Sequence, residues 1–148
     1  MAETATGSEV LAVRLVTPDR VLLDATAAAV ELPAMSGYIE ALYGHAPLLA
    51  ELGAGEVRLH GGTSGDQKFF VAWGFVEVLP ERVTVLAQIA ERAEDIDRER
   101  AERAKQRAQE RLAKAPSPQS DMDFERARIA MMKSLIRLQV ATRARTRV

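Results

Sequence analysis

Up to about residue 90 the chain runs in short β-branched stretches that stop at turn residues. Val10–Val16 ends at Thr17-Pro18-Asp19, Ala28–Leu32 ends at Pro33, and Glu56–His60 runs into Gly61-Gly62-Thr63-Ser64-Gly65-Asp66. Lys68–Trp73 meets Gly74, Phe75–Leu79 meets Pro80-Glu81, and Val83–Ala87 closes the series. Strands this short with frequent turn signals predict an antiparallel sandwich or flattened barrel. Apolar and polar positions alternate in Val76-Glu77-Val78 and Val83-Thr84-Val85, so one face of each of these strands should be buried. No long helical run separates the strands, which argues against a doubly wound α/β fold. Phe69, Phe70, Trp73 and Phe75 are expected to be core residues of two adjacent strands.

Near residue 91 the period changes. Glu91 to Ala115 is rich in Ala, Arg, Glu and Lys without Gly or Pro, and predicts a helix over about 95–115. Asp95 is the expected N-cap, with Asp97 in the first turn where negative charge suits the helix dipole. Ala101, Ala104, Ala108 and Leu112 form one narrow apolar stripe. Pro116-Ser117-Pro118-Gln119-Ser120 ends this helix. Asp121 then opens a second, over about 121–145, with stripe positions Phe124, Ala127, Met131, Leu135 and Leu138. So short a connection returns the helices antiparallel as a hairpin. A seam made largely of alanine methyls, each worth about 0.8 kcal/mol when buried, contributes only a few kcal/mol, so the hairpin reads as detachable. The expected organisation is a frayed leader at 1–9, a β domain at 10–90 and a hairpin at 91–148.

Charge separates the same two parts. Residues 1–90 carry 5 Lys+Arg and 11 Asp+Glu, a balance of −6; residues 91–148 carry 15 and 10, a balance of +5. The basic part lacks interleaved aromatics and carries acids too, so nucleic acid is not the expected partner. There is no cysteine, hence no disulfide and no thiolate metal site. No stretch is long and apolar enough to span a bilayer, and the first nine residues lack the pattern of a signal peptide. His45 has no companion nucleophile or carboxylate in its motif, so it reads as a turn histidine satisfied by backbone. His60 reads as a hairpin-end residue, and two distant histidines make no metal site. Without a P-loop, nucleophile elbow, metal cluster or paired-carboxylate motif, the chain is not expected to be an enzyme.

Three segments taken in order resemble the epsilon subunit family of F-type ATP synthases. They are Gly37 with Gly44-His45-Ala46-Pro47-Leu48-Leu49; Gly74-Phe75-Val76-Glu77-Val78 with Val83-Thr84-Val85-Leu86-Ala87; and Ile96-Asp97-Arg98-Glu99-Arg100-Ala101 followed by Asp121-Met122-Asp123-Phe124 and Arg137-Leu138. The chain departs from the family in having Tyr43 where a Pro usually precedes Gly44, and Glu40 where a small residue usually stands.

The resemblance implies an all-β sandwich of about ten strands followed by a C-terminal antiparallel helical hairpin. It implies a non-catalytic rotor subunit at the cytoplasmic face of the bacterial inner membrane. Such a subunit binds the gamma subunit and the c-ring, and couples proton flow to ATP synthesis. Its hairpin, extended into the head of alpha and beta subunits, would inhibit ATP hydrolysis. By the same analogy Tyr38, Glu40, Leu42, Tyr43, Gly44 and His45 are candidate c-ring neighbours, and Arg126, Arg128, Arg143, Arg145 and Arg147 form a basic inhibitory arm. Some members bind ATP on the folded hairpin, as a regulatory and not a required ligand. The positions matching that pattern are Glu91, Ile96, Asp97, Arg100, Ala101 and Arg137, with Lys133 where such members carry Arg. The alternative for these residues is a capping Asp97 and solvated cations. Two other roles stay open: an ATP sensor whose hairpin is the chief output, and a stand-alone adaptor.

Overall fold

The computed structural model describes the backbone of residues 9–114 and 121–145, and side chains over 9–114 and 123–142. The leader expected at 1–9, save its last residue, and the linker Pro116–Ser120 lie outside the described residues. The chain divides between Ala90 and Glu91 into two compact units.

The first unit is built from β1 (Leu11–Val16), β2 (Val21–Ala27), β3 (Ala29–Ala34), β4 (Gly37–Leu42), β5 (Leu48–His60), β6 (Gln67–Leu79) and β7 (Arg82–Arg92), whose last two residues belong to the second unit. They form one sheet in the order β2-β1-β7-β6-β5-β3-β4. The β1–β7 pair is parallel, whereas β1–β2, β3–β4, β3–β5 and β5–β6 are antiparallel. Alternate residues point inward: Leu11, Val13 and Leu15 of β1 meet Val83, Val85 and Ala87 of β7 in a single core with Val30, Leu32 and Ala41.

Seven strands stand where about ten were expected, because β5 and β6 are each 13 residues long and do the work of two. Their pairing continues without slippage from Leu48↔Val78 to Leu59↔Gln67. The inward positions nevertheless change parity along both strands. On β5 they are Ala50 and Leu52, then Val57 and Leu59; on β6 they are Phe69 and Val71, then Val76 and Val78. The ribbon therefore turns over midway, so that both halves face the same core.

The backbone at the turnover explains how. Trp73 has φ 63° and Gly74 φ 117°. A Cβ on Gly74 would lie 1.9 Å from the Leu86 carbonyl oxygen, so β7 passes too close for any side chain. Such an irregularity sharpens the local twist. It also corrects one expectation: Phe75 falls on the outward parity and is 54% exposed, while Phe69 and Phe70 are buried.

In the second unit a short 3₁₀ turn (Ala93–Asp95) leads into α1 (Arg98–Lys114), and α2 is Asp121–Arg145. The cap of α1 is Asp97 and not Asp95: Arg100 N–H donates to Asp97 Oδ1 at 3.0 Å, and Ala101 N–H to the Asp97 carbonyl at 3.0 Å. Asp95 is spent in the 3₁₀ turn. Arg98 Nη2 donates to Thr142 Oγ1 at 3.4 Å, so the start of α1 meets the end of α2 and the helices are antiparallel. Ala101 and Ala108 are buried and Ala104 and Leu112 half-buried, as the first stripe predicts.

The second stripe holds in part: Ala127 is buried and Met131 and Leu138 are half-buried, as expected. Ser134, Val140 and Ala141 are buried as well, whereas Phe124 and Leu135 are exposed. Small residues predominate among the buried positions of the two helices, which permits a close helix approach. Ser134 is tolerated in the seam because its hydroxyl donates to the Ala130 carbonyl at 2.8 Å.

Candidate functional site

The hairpin unit holds a cleft of about 340 Å³ lined by Glu91, Asp95, Asp97, Arg100, Ala101, Ala104, Arg107 and Arg137. Three elements supply it. The end of β7 brings Glu91, the capped first turns of α1 bring Asp97, Arg100 and Ala101, and α2 brings Arg137. Arg137 Nε donates to Glu91 Oε1 at 2.9 Å, joining residues 46 positions apart. Five residues singled out from the sequence thus meet in one cleft. Ile96 and Lys133 are not among its lining residues, and Ile96 is buried.

Asp95 and Arg107 line the cleft but carry no mark in the sequence motif. Arg107 was legible in principle, since it lies seven residues, or two turns, after Arg100 on the same helical face. Arg100, Arg107 and Arg137 give the cleft three guanidinium donors, and Glu91, Asp95 and Asp97 give it three carboxylate acceptors. Asp97 already accepts from the Arg100 amide, so capping and a place in the cleft fall on one side chain.

The candidate rotor residues cluster around β4 and the loop after it. Tyr38, Glu40 and Leu42 point outward from this edge strand while Ile39 and Ala41 point inward. Tyr38 is 62% exposed, yet its hydroxyl accepts from the Glu56 amide at 3.0 Å, which fixes the side chain beside Pro33 and Gly55. Leu42, Tyr43, Leu48 and Leu49 are exposed apolar residues around a turn in which Gly44 has φ 84°. That turn is tied at both ends: Gly44 N–H donates to the Pro80 carbonyl at 2.7 Å and His45 N–H to the Leu42 carbonyl at 3.0 Å. His45 Nδ1–H donates to the Ala46 carbonyl at 2.6 Å.

Of the basic arm, Arg126 and Arg128 are exposed on α2, Arg128 being paired with Glu125 at 3.0 Å. The side chains of Arg143 and Arg145, and all of Arg147, lie outside the described residues. Among the described residues no cluster of His, Asp and Glu is arranged to hold a metal ion. No described helix is long and apolar enough to cross a membrane.

Two family models match almost end to end: the ATP synthase delta/epsilon chain β-sandwich domain over residues 10–93, and its long α-helix domain over 94–142. The chain belongs to the ATP synthase delta/epsilon family. It is an epsilon-type chain, a non-catalytic subunit of ATP synthase. It is 47% identical to the ATP synthase epsilon chain of Bacillus subtilis over 130 residues, covering 87% of this chain and 95% of that one. The epsilon chain of Moorella thermoacetica is 39% identical over 131 residues, covering 88% and 96%. Among solved structures, a chain of the Euglena gracilis mitochondrial ATP synthase superposes with a TM-score of 0.66 at 18% identity, covering 97% of this chain and 88% of that one. A chain of the Tetrahymena thermophila enzyme's central stalk and c-ring gives 0.51 at 16%, covering 92% and 96%. At these identities the structural likeness speaks for the fold.

Proposed function

We propose that this subunit works in the central stalk, coupling proton flow to ATP synthesis, and that its hairpin is a nucleotide-responsive brake on ATP hydrolysis. The observation that carries the regulatory reading is the cleft in which Glu91, Asp97, Arg100, Ala101 and Arg137 converge from three elements. ATP is the proposed ligand, with the arginines facing its triphosphate and Asp97 accepting from adenine or ribose. Bound there, ATP stabilises the closed hairpin by mass action and so opposes its opening. The Glu91–Arg137 ion pair keeps Arg137 aimed at the cleft.

Extended into the head, the hairpin meets the alpha and beta subunits, where Arg126, Arg128, Arg143, Arg145 and Arg147 supply attraction to acidic surfaces, screened by salt. The sandwich contacts the c-ring through Tyr38, Glu40, Leu42, Tyr43, Gly44 and His45, whose outward placement and tied turn suit a rigid foot. The gamma subunit covers an outward apolar row across neighbouring strands, in which Val21 pairs with Val16 and Val16 with Leu86. The proposed location is the cytoplasmic face of the bacterial inner membrane, held there by the complex.

Ending the chain at Ala115 should raise ATP hydrolysis by the assembled enzyme; unchanged hydrolysis across nucleotide and proton-gradient conditions would refute the brake. Equilibrium dialysis of the isolated chain should show ATP retained at millimolar concentration and lost in Arg100→Ala. No retention by the unaltered chain removes the nucleotide from the scheme and leaves the brake standing.

A further inference from the structure

His60 closes β5 with a carboxylate at each ring nitrogen. Nε2 lies 3.0 Å from Glu31 Oε2 on β3, and Nδ1 lies 3.6 Å from Asp66 Oδ2 in the β5–β6 turn. An ionised carboxylate only accepts, and a neutral imidazole has one N–H to give. At 3.0 Å that N–H belongs to Glu31, so the neutral ring turns a lone pair toward Asp66. Only the imidazolium can donate to both.

Other charges surround Glu31. Arg58 pairs with the buried Glu56 and lies 3.5 Å from the same Glu31 oxygen. Lys68 of β6 stands opposite Arg58, and Glu40 of β4 stands opposite Glu31. The hydrogen bond from His60 and the charge of Arg58 hold the Glu31 carboxyl below its usual range, so it stays ionised where histidines titrate. Asp66 Oδ1 accepts from the Gly61 amide at 3.2 Å, so this carboxylate ties the two ends of the turn, within which Gly65 N–H donates to the Gly62 carbonyl at 3.0 Å.

We propose that His60 is a proton-operated clasp: on protonation it bridges Glu31 and Asp66, fastening the β5–β6 turn at 61–66 onto β3. The turn caps the end of β5 opposite Leu48, so the clasp acts away from the loop at 43–47. It gives the sandwich a response to proton concentration that needs neither nucleotide nor the hairpin.

The test is amide hydrogen exchange of the full chain by NMR between about pH 8 and pH 5.5, corrected for intrinsic rates. Protection of the Gly61 and Gly65 amides should rise roughly fivefold on acidification, as expected for one partly exposed ion pair gained. The rise should be absent in His60→Gln and in Asp66→Asn. Protection that is flat with pH in the unaltered chain, or that rises equally in His60→Gln, overturns the clasp. Should His60→Gln fail to fold, Asp66→Asn decides: a rise of the same size there overturns it too.

Discussion

At the scale of single residues, the strongest constraint is Gly74. A side chain there meets the Leu86 carbonyl and must hold φ 117°, which L residues rarely adopt. Gly74→Ala should destabilise the sandwich by about 3 kcal/mol or more, read as a lower urea midpoint. Arg58 offers a second case. It is the ion-pair partner of Glu56, whose side chain is 5% exposed, so Arg58→Ala strands a buried carboxylate and should cost about 3 kcal/mol by the same measurement. Glu31 sets a pH dependence. Its folded pKa is lowered by the His60 hydrogen bond and the Arg58 charge. Its contribution is therefore present in full above the ordinary carboxylate range, and is lost as pH falls through the lowered folded value. Glu31→Gln should flatten the acid limb of a stability-against-pH curve. Asp97 separates two roles, since Asn caps a helix as well as Asp. Asp97→Asn should keep the stability of α1 within about 0.5 kcal/mol, whereas Asp97→Ala loses about 1 kcal/mol.

At the scale of elements, the long β5–β6 hairpin and the two helices respond to opposite requirements. The hairpin must present apolar residues to one core along 13 residues of strand, and a regular ribbon spanning it would keep one face inward throughout. The Trp73–Gly74 irregularity turns it over. On β6 the sequence showed both halves as strands, Lys68–Trp73 and Phe75–Leu79, but the glycine between them reads as a break unless the ladder is seen to continue through it. Strands β2 and β4 escaped the sequence pattern for a related reason: they are sheet edges, and β4 sends only Ile39 and Ala41 inward. In the helical unit the seam selects for smallness. Ala108 is 2% exposed, so Ala108→Leu should overpack it by about 1–3 kcal/mol and lower amide protection along α1 and α2 together. A fall confined to α1 would count against a shared seam.

At the scale of the molecule, the two units differ in what holds them. The sandwich closes around leucine, valine and phenylalanine, while the helical unit rests mostly on alanines, with Ile96, Val140, a serine and an ion pair. Each alanine contributes about 0.8 kcal/mol per buried methyl, several-fold less than a buried leucine. Under urea the hairpin should therefore lose structure at a lower concentration than the sandwich, seen as far-UV helical signal falling before Trp73 fluorescence changes. A single coincident transition would show the units to be cooperative.

What the sequence determined by itself was set by local chemistry. Alternation and turn residues specify a β unit, propensity and a narrow alanine stripe specify the first helix, and spacing along a helix places Asp97, Arg100 and Ala101 on neighbouring turns. Those properties depend on residues close in the chain. Tertiary structure decided what depends on residues far apart. It chose Asp97 over Asp95 as the cap, kept Ala127 in the second stripe, left Phe124 and Leu135 exposed, and buried Ser134, Val140 and Ala141 instead. It brought Glu91 to Arg137, and Glu31 and Asp66 to His60. Only the packed fold sets these, because whether a side chain is buried or paired is a property of its neighbours in space.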